Sequence, residues 1–426
     1  MKYWISIGIL ILIMLNEYRK YKYVLTSTVL WPVMWIFALF AITQENYYEV
    51  SWVTLSIIIV GYLLFCFAFH ARCSPYDTGQ AVKTISYDIE RNMGSLSVLF
   101  GFSILVALIY LFLMRGQFSI INFFSSFRQL YRASIGVNAA LKYVSFIPKC
   151  TMWYFAATYA VTRRDKEKKA FSQRLLIRLI ILMVLNLIIL VPGFVRTDFL
   201  FTFLPVILNI AILTGAKDKK IMTVFGIAMV GFVALFVSFS MLKHSYRYEG
   251  GVNLRLSALD ELYEYLGGGT VAFDQLRKRG EILWVNFNGT GKYTLNGPLG
   301  LIDRLLGTDL SPNTVQDFIY ISDHYTRTNV YTIFKWTGMD FGIVYSTLLQ
   351  FLYGLVHGNL FRGIREGKMM SVYWYSALMY GLLMMFFSDQ YFSVGAMWIV
   401  TLVATLIVTS MAKTNIRFTI GSRKTI

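Results

Sequence analysis

The chain has 426 residues, of which 56% are hydrophobic, 17% aromatic and only 15% charged, with a mean hydropathy of +0.56. Soluble domains carry about 25% charged residues, so this balance points to a polytopic membrane protein rather than a soluble enzyme. A net charge of +17 would suit nucleic acid. The lysines and arginines are instead scattered through short loops between apolar runs, as membrane topology by itself produces, so no nucleic-acid partner is expected.

Apolar runs long enough to cross a bilayer, about 17–25 residues, recur along the whole length. The first, in MKYWISIGILILIML, imitates a signal peptide but lacks the small-residue cleavage pattern and runs into NEYRKYK, so it reads as an uncleaved helix. Eleven spans are predicted, at about 3–15, 23–42, 51–70, 96–114, 141–161, 175–194, 199–214, 221–241, 338–358, 369–387 and 394–411. The fold class expected is therefore an all-α integral membrane domain over residues 1–426. One large loop, 242–337, is inserted between the eighth and ninth helices.

The connecting segments alternate in charge. NEYRKYK, residues 71–95, TRRDKEKK, AKDKK, FRGIREGK and the tail GSRKTI form a set dense in Lys and Arg, whereas TQENYYEV and SDQYF have none. By the positive-inside rule the first set is cytoplasmic, which puts the N-terminus and the 242–337 loop outside. Arg196, in the turn GFVRTD, is then external, against the rule. So are Arg115, Arg128 and Arg132 in RGQFSIINFFSSFRQLYRAS, whose Phe and Tyr alternate with Arg as in an interfacial helix.

Within the large loop, ALDELYEYL has helical spacing and runs into Gly267, Gly268 and Gly269, which are expected to stop that helix. Ser311-Pro312 has the form of an N-cap followed by Pro at the first helical position. The loop ends in SDHYTRTNVYTIFKWTGMDFG, where a helix would put His324 and Arg327 on one face. The expected structure is a cap of short helices.

The cysteines (Cys66, Cys73, Cys150) form no disulfide framework, and the four histidines form no HExxH or Cys/His cluster. The site expected from the residues is metal-free, with no cofactor. External arginines suit a phosphate, because the guanidinium donates two parallel hydrogen bonds and keeps its proton. Glycosyl transfer from a sugar on a polyprenyl diphosphate needs three things: a stabilised leaving diphosphate, a base for the acceptor hydroxyl, and alignment of the two sugars. Arg196, Arg327, Arg128 and Arg132 are the candidates for the first role. His324, His244, Asp198 and Asp340 are the candidates for the base.

Four stretches carry a resemblance to a known family: GFVRTDFLFTFLP, LDELYEYLGGGTVAFDQL, TNVYTIFKWTGMDFGIVYSTLLQFLYGLVHG, and the spacing R-x10-G from Arg327 to Gly338. Over roughly residues 190–390 the chain resembles the Wzy-type O-antigen polymerases, the oligosaccharide repeat unit polymerases. The resemblance implies a membrane glycosyltransferase of C-type layout in the bacterial inner membrane, with its site on the periplasmic face. Its substrates would be oligosaccharides on undecaprenyl diphosphate. A growing glycan would be moved onto the non-reducing end of a new lipid-linked repeat unit, beside membrane lipids, a chain-length regulator and a flippase. The residues that match the family locally are Arg196 and Arg327. Two alternatives remain at this stage: an O-antigen ligase, which shares the donor, and a flippase or transporter for lipid-linked oligosaccharide. The latter usually shows paired repeats, and none is visible here.

Overall fold

The computed structural model describes residues 1–74, 93–113, 141–163, 168–190, 196–215, 258–312, 318–322 and 326–412, with single positions between 219 and 226. Most of the predicted helix at 221–241 lies outside them. The described chain is mostly α-helical: α1 (Lys2–Tyr21), α2 (Ser27–Gln44), α3 (Trp52–Arg72), α4 (Met93–Leu113), α5 (Phe146–Thr162), α6 (Lys169–Leu190), α7 (Arg196–Leu213), α8 (Ala258–Lys278), α9 (Asn296–Leu306), a two-stranded antiparallel ribbon of β1 (Ile319–Tyr320) and β2 (Arg327–Thr328), α10 (Phe334–Phe341), α11 (Ile343–Arg365), α12 (Met369–Leu383) and α13 (Gly395–Ala412).

Among the described residues five helices are long and apolar enough to cross a membrane: Ser27–Gln44, Trp52–Arg72, Gly94–Leu113, Lys169–Leu190 and Gly395–Ala412. That number counts described residues only, and most of the predicted helix at 221–241 lies outside them. The helices α5 and α12 are 17 and 15 residues long, and α1 ends in Glu17, Arg19 and Lys20. The predicted 338–358 segment is split at Gly342, which has a φ of +90° that favours glycine.

The described chain divides into two compact units rather than one: residues 1–78, 222–362 and 378–398, and residues 79–221, 363–377 and 399–426. In the first unit, one end gathers the N-terminus and the α2–α3 connection. Lys2 pairs with Glu49 at 2.5 Å, and the Val50 N–H donates to the Tyr3 hydroxyl. At the other end the Glu17 carboxylate takes Lys20 and His70, and the Tyr21 hydroxyl donates to the Cys73 carbonyl at 2.6 Å. Between the ends, Trp31 stacks on Tyr62 with ring centroids 4.9 Å apart. Gly354 and Gly358, spaced G-x-x-x-G on α11, lie against the Phe65 and Phe69 carbonyls of α3, where a Cβ would collide with backbone. Small residues at this spacing let two membrane helices approach to backbone contact. His357, between those glycines, is fully buried and tied to Ser27 Oγ and the Tyr391 hydroxyl, both at 2.9 Å.

The glycine triplet does not stop its helix. α8 continues through it to Lys278, and the triplet is buried. A Cβ on Gly267 would meet Ile42 and the backbone of α2, one on Gly268 the Ile321 side chain, and one on Gly269 the Phe386 carbonyl. Close packing on three sides outweighs the intrinsic helix-breaking tendency of glycine, worth about 1 kcal/mol per residue. The described part of the loop is thus closely packed. Residues 283–286 pair through their backbone with Phe341, Ile343 and Val344, fastening the α10–α11 junction.

The second unit is organised on α5, all but one of whose residues are buried and which packs against α4, α6 and α7. The Trp153 indole donates to the Thr202 carbonyl at 2.7 Å, and Asn186 of α6 donates to the Pro148 carbonyl at 3.3 Å. Tyr373 of α12 reaches Thr405 at 3.1 Å.

Candidate functional site

The segment that carried the sequence argument, GFVRTDF, becomes the start of a helix. Arg196 is the first residue of α7 and Asp198 lies in its first turn. The opening N–H groups of a helix have no intrahelical partner and carry about half a positive charge between them, which favours an anion at such a point.

The neighbouring helix adds a residue that the sequence argument passed over. Lys149, in FIPKCTMWYF on α5, is only 5% exposed. Its ammonium lies 4.7 Å from the Phe146 ring centroid and 5.6 Å from that of Phe201 on α7. Phe201 is three residues beyond Asp198, on the same face of α7, and Asp198 is the acid whose charge Lys149 feels. Phe146 packs on Phe201 at 6.0 Å, and further along Trp153 meets both Thr202 and Asn209. The two helices therefore run in the same direction from this end. The signal for Lys149 was present in the sequence as a lysine inside an otherwise apolar run.

The remaining candidates are spread differently. Arg327 is exposed in the β-ribbon, opposite Tyr320, with its guanidinium 5.3 Å from the Phe318 ring centroid. The glycine of the R-x10-G spacing has a packing role, since a Cβ on Gly338 would meet Ile282 at 2.9 Å. Asp340 is 2% exposed, and its carboxylate accepts from the Thr294 N–H and hydroxyl, both at 2.6 Å, and from the Tyr293 N–H at 3.4 Å. That geometry suits a clamp between α10 and the segment before α9 better than a general base. His244, His324, Arg128 and Arg132 lie outside the described residues, as does whatever follows Ser311-Pro312. Ser311 itself donates its N–H to Asp303, which also takes Thr308 and the Leu310 N–H and closes the turn after α9.

In the first unit a second buried charge, also unforeseen, sits at the end shared with the N-terminus. Asp274 of α8 is fully buried. Its carboxylate accepts from the Ser51 N–H (3.1 Å) and hydroxyl (2.6 Å), the Thr54 hydroxyl (2.7 Å), Arg277 (3.2 Å) and Lys278 (2.8 Å). Burial pushes its pKa up, but the hydrogen bonds from Lys278, Ser51 and Thr54 together outweigh it and hold the carboxyl below its ordinary value. The carboxylate meets the N-terminus of α3 and pins the loop helix to it. Beside this end runs an open apolar groove of about 450 Å³. It is lined by Trp52, Val60 and Leu64 of α3, by Val344 and Leu348 of α11, and by Trp284. Trp52 and Trp284 are half exposed, as tryptophans are at a membrane–water boundary.

No metal-binding group of three or more His, Cys, Asp or Glu occurs among the described residues. Comparison of the chain with family models, with curated proteins and with solved structures finds no match in any of the three.

Proposed function

We propose that this chain is a metal-independent membrane glycosyltransferase of the O-antigen polymerase type. It transfers a growing glycan from undecaprenyl diphosphate to the non-reducing end of a new lipid-linked repeat unit, on the outer face of the bacterial inner membrane. The observation that carries this reading is the placement of Arg196 as the first residue of a helix. A helix start favours an anion, and the leaving diphosphate is the anion the reaction must stabilise.

Three further features support the reading. Asp198, in the first turn of the same helix, is a carboxylate within reach of the same region and is the described candidate for the acceptor's base. The groove between Trp52 and Trp284 has the apolar lining and interfacial position that suit an isoprenoid chain. The end that holds the N-terminus, the 45–51 connection and the C-terminus of α8 is the one the positive-inside rule makes external.

The test is reconstitution of the purified protein in liposomes with a lipid-linked repeat unit as sole substrate. The expected product is a ladder of longer glycans that remain on the diphosphate lipid. Export of unchanged repeat units without elongation would replace the polymerase with a transporter. Reporter fusions after residues 45, 250 and 390 are expected outside, and after 167, 218 and 366 inside. A cytoplasmic signal at 250 would remove the loop from the acceptor side and end the mechanism.

A further inference from the structure

We propose that Lys149 is a phosphate-binding residue. With the N-terminus of α7 it forms a buried anion site that takes a phosphate group of the lipid-linked substrate, a role that rests on the lipid-diphosphate reading above and deepens it.

Lys149 carries a charge that its surroundings compensate poorly. Lys149 lies on α5, which continues from a helical turn at residues 141–144, and it feels Asp198 in the first turn of α7. A cation is disfavoured beside the N-terminal end of a helix, here α7, where the N–H groups carry partial positive charge. The Lys149 ammonium is flanked by the Phe146 and Phe201 rings rather than by polar groups. Removing an ammonium from water costs several kcal/mol unless it is paired and hydrogen-bonded. Among the described residues Lys149 makes no hydrogen bond and no ion pair, and its polar compensation is the attraction of Asp198. Opposing that attraction is the charge of Lys142, seven residues earlier in the chain.

A purely structural lysine would have been built with a partner, as Asp274 was. Lys149 instead has three unpaired N–H donors within the electrostatic reach of the first turn of α7. A tetrahedral phosphate oxygen supplies the missing acceptors and the missing charge at once. It can also accept from the opening N–H groups of α7 in the same step. Asp198 then has a defined effect: it holds the ammonium in the empty state and competes with the anion.

The experiment uses the full chain in nanodiscs, with polyprenyl diphosphate and inorganic pyrophosphate as probes, and reads affinity and melting temperature together. In Lys149→Met, affinity for the prenyl diphosphate is expected to fall at least about tenfold, the loss of one charge-assisted hydrogen bond. The melting temperature should stay the same or rise, because a buried charge has been replaced by an apolar chain of similar length. Lys149→Arg is expected to bind more tightly than Lys149→Met. Asp198→Asn, which removes the competing charge, should tighten binding of both probes.

Unchanged affinity in Lys149→Met would overturn the proposal. So would a drop in melting temperature that Lys149→Arg repairs without repairing affinity. Weaker binding in Asp198→Asn would do the same, and that measurement stands even if Lys149→Met does not fold. Wild-type protein that binds pyrophosphate but not the prenyl lipid, with Lys149→Met losing the former, would keep the anion site and remove the lipid-carrier reading. The reverse, lipid binding indifferent to position 149, would keep the function and remove this site.

Discussion

Asp274 and Lys149 are both buried charges at helix starts, one in each compact unit, and they are treated in opposite ways. Asp274 is surrounded by five donors from α3 and its own helix and lies at the N-terminus of α3, where a negative charge is welcome. Lys149 has two phenylalanine rings, the reach of one carboxylate, and a helix start that repels it. A charge whose partners are complete holds a structure together. One whose partners are incomplete is retained at a cost in stability, and the cost is understandable if a ligand completes the set. The contrast separates a buried charge completed by its neighbours in the first unit from one left without a hydrogen bond in the second, where the proposed site lies.

The strongest test of that division is Arg196→Lys. The charge is kept and the planar fork is lost, so a transition-state donor should be lost too, lowering the transfer rate about 10²–10³-fold with insertion and melting unaffected. Single lipid-linked repeats should then accumulate in place of long glycan. Normal long chains at normal expression would make Arg196 an interfacial anchor and erase the distinction between the two ends.

On the structural side, Asp274→Ala should cost about 3 kcal/mol, because Arg277 and Lys278 would be left beside a buried gap. Thermal unfolding in detergent would show it. The same carboxylate predicts a pH effect whose sign follows from its lowered pKa. Its stabilisation is fully present above the unfolded value of about 3.9 and is lost as pH falls through the lower folded value. The melting temperature should therefore drop in acid, and Asp274→Ala should flatten that drop. A variant as stable as the wild type would mean that the five donors contribute nothing net.

A smaller effect is expected from Gly354→Ala, about 1–3 kcal/mol from overpacking, since the added methyl meets the Phe65 carbonyl of α3. It should lower the melting temperature without changing the affinity for diphosphate, which would separate assembly in the first unit from binding in the second. The smallest effect is none at all: activity of purified protein should survive EDTA, because arginine, lysine and a helix start can stabilise the leaving group unaided. Loss of activity restored by a divalent cation would reveal a metal site.

Much of this was legible in the chain. Hydropathy marked where α2, α3, α4, α6 and α13 would form, because a bilayer accepts only segments that satisfy their own backbone and hide few charges. Arg196 stood out for the same reason, as a charge in a turn where the alternation of the loops disfavours one. The shorter α5 and α12 were visible as apolar runs, but their lengths fell below what hydropathy suggested.

Tertiary structure decided what local rules could not. Gly267, Gly268 and Gly269 read as a helix stop until α2, the β-ribbon and Phe386 closed on them; then their lack of side chains became the reason the helix could continue. Asp340 read as a candidate base until Thr294, 46 residues earlier in the chain, engaged its carboxylate. Lys149 and Asp274 read as one lysine in an apolar run and one acid in a polar loop. Propensity and hydropathy act over a few neighbouring residues, so they can place a charge on a helix. Whether the charge is completed depends on which distant helix arrives beside it, and at Lys149 that helix brought a positive end.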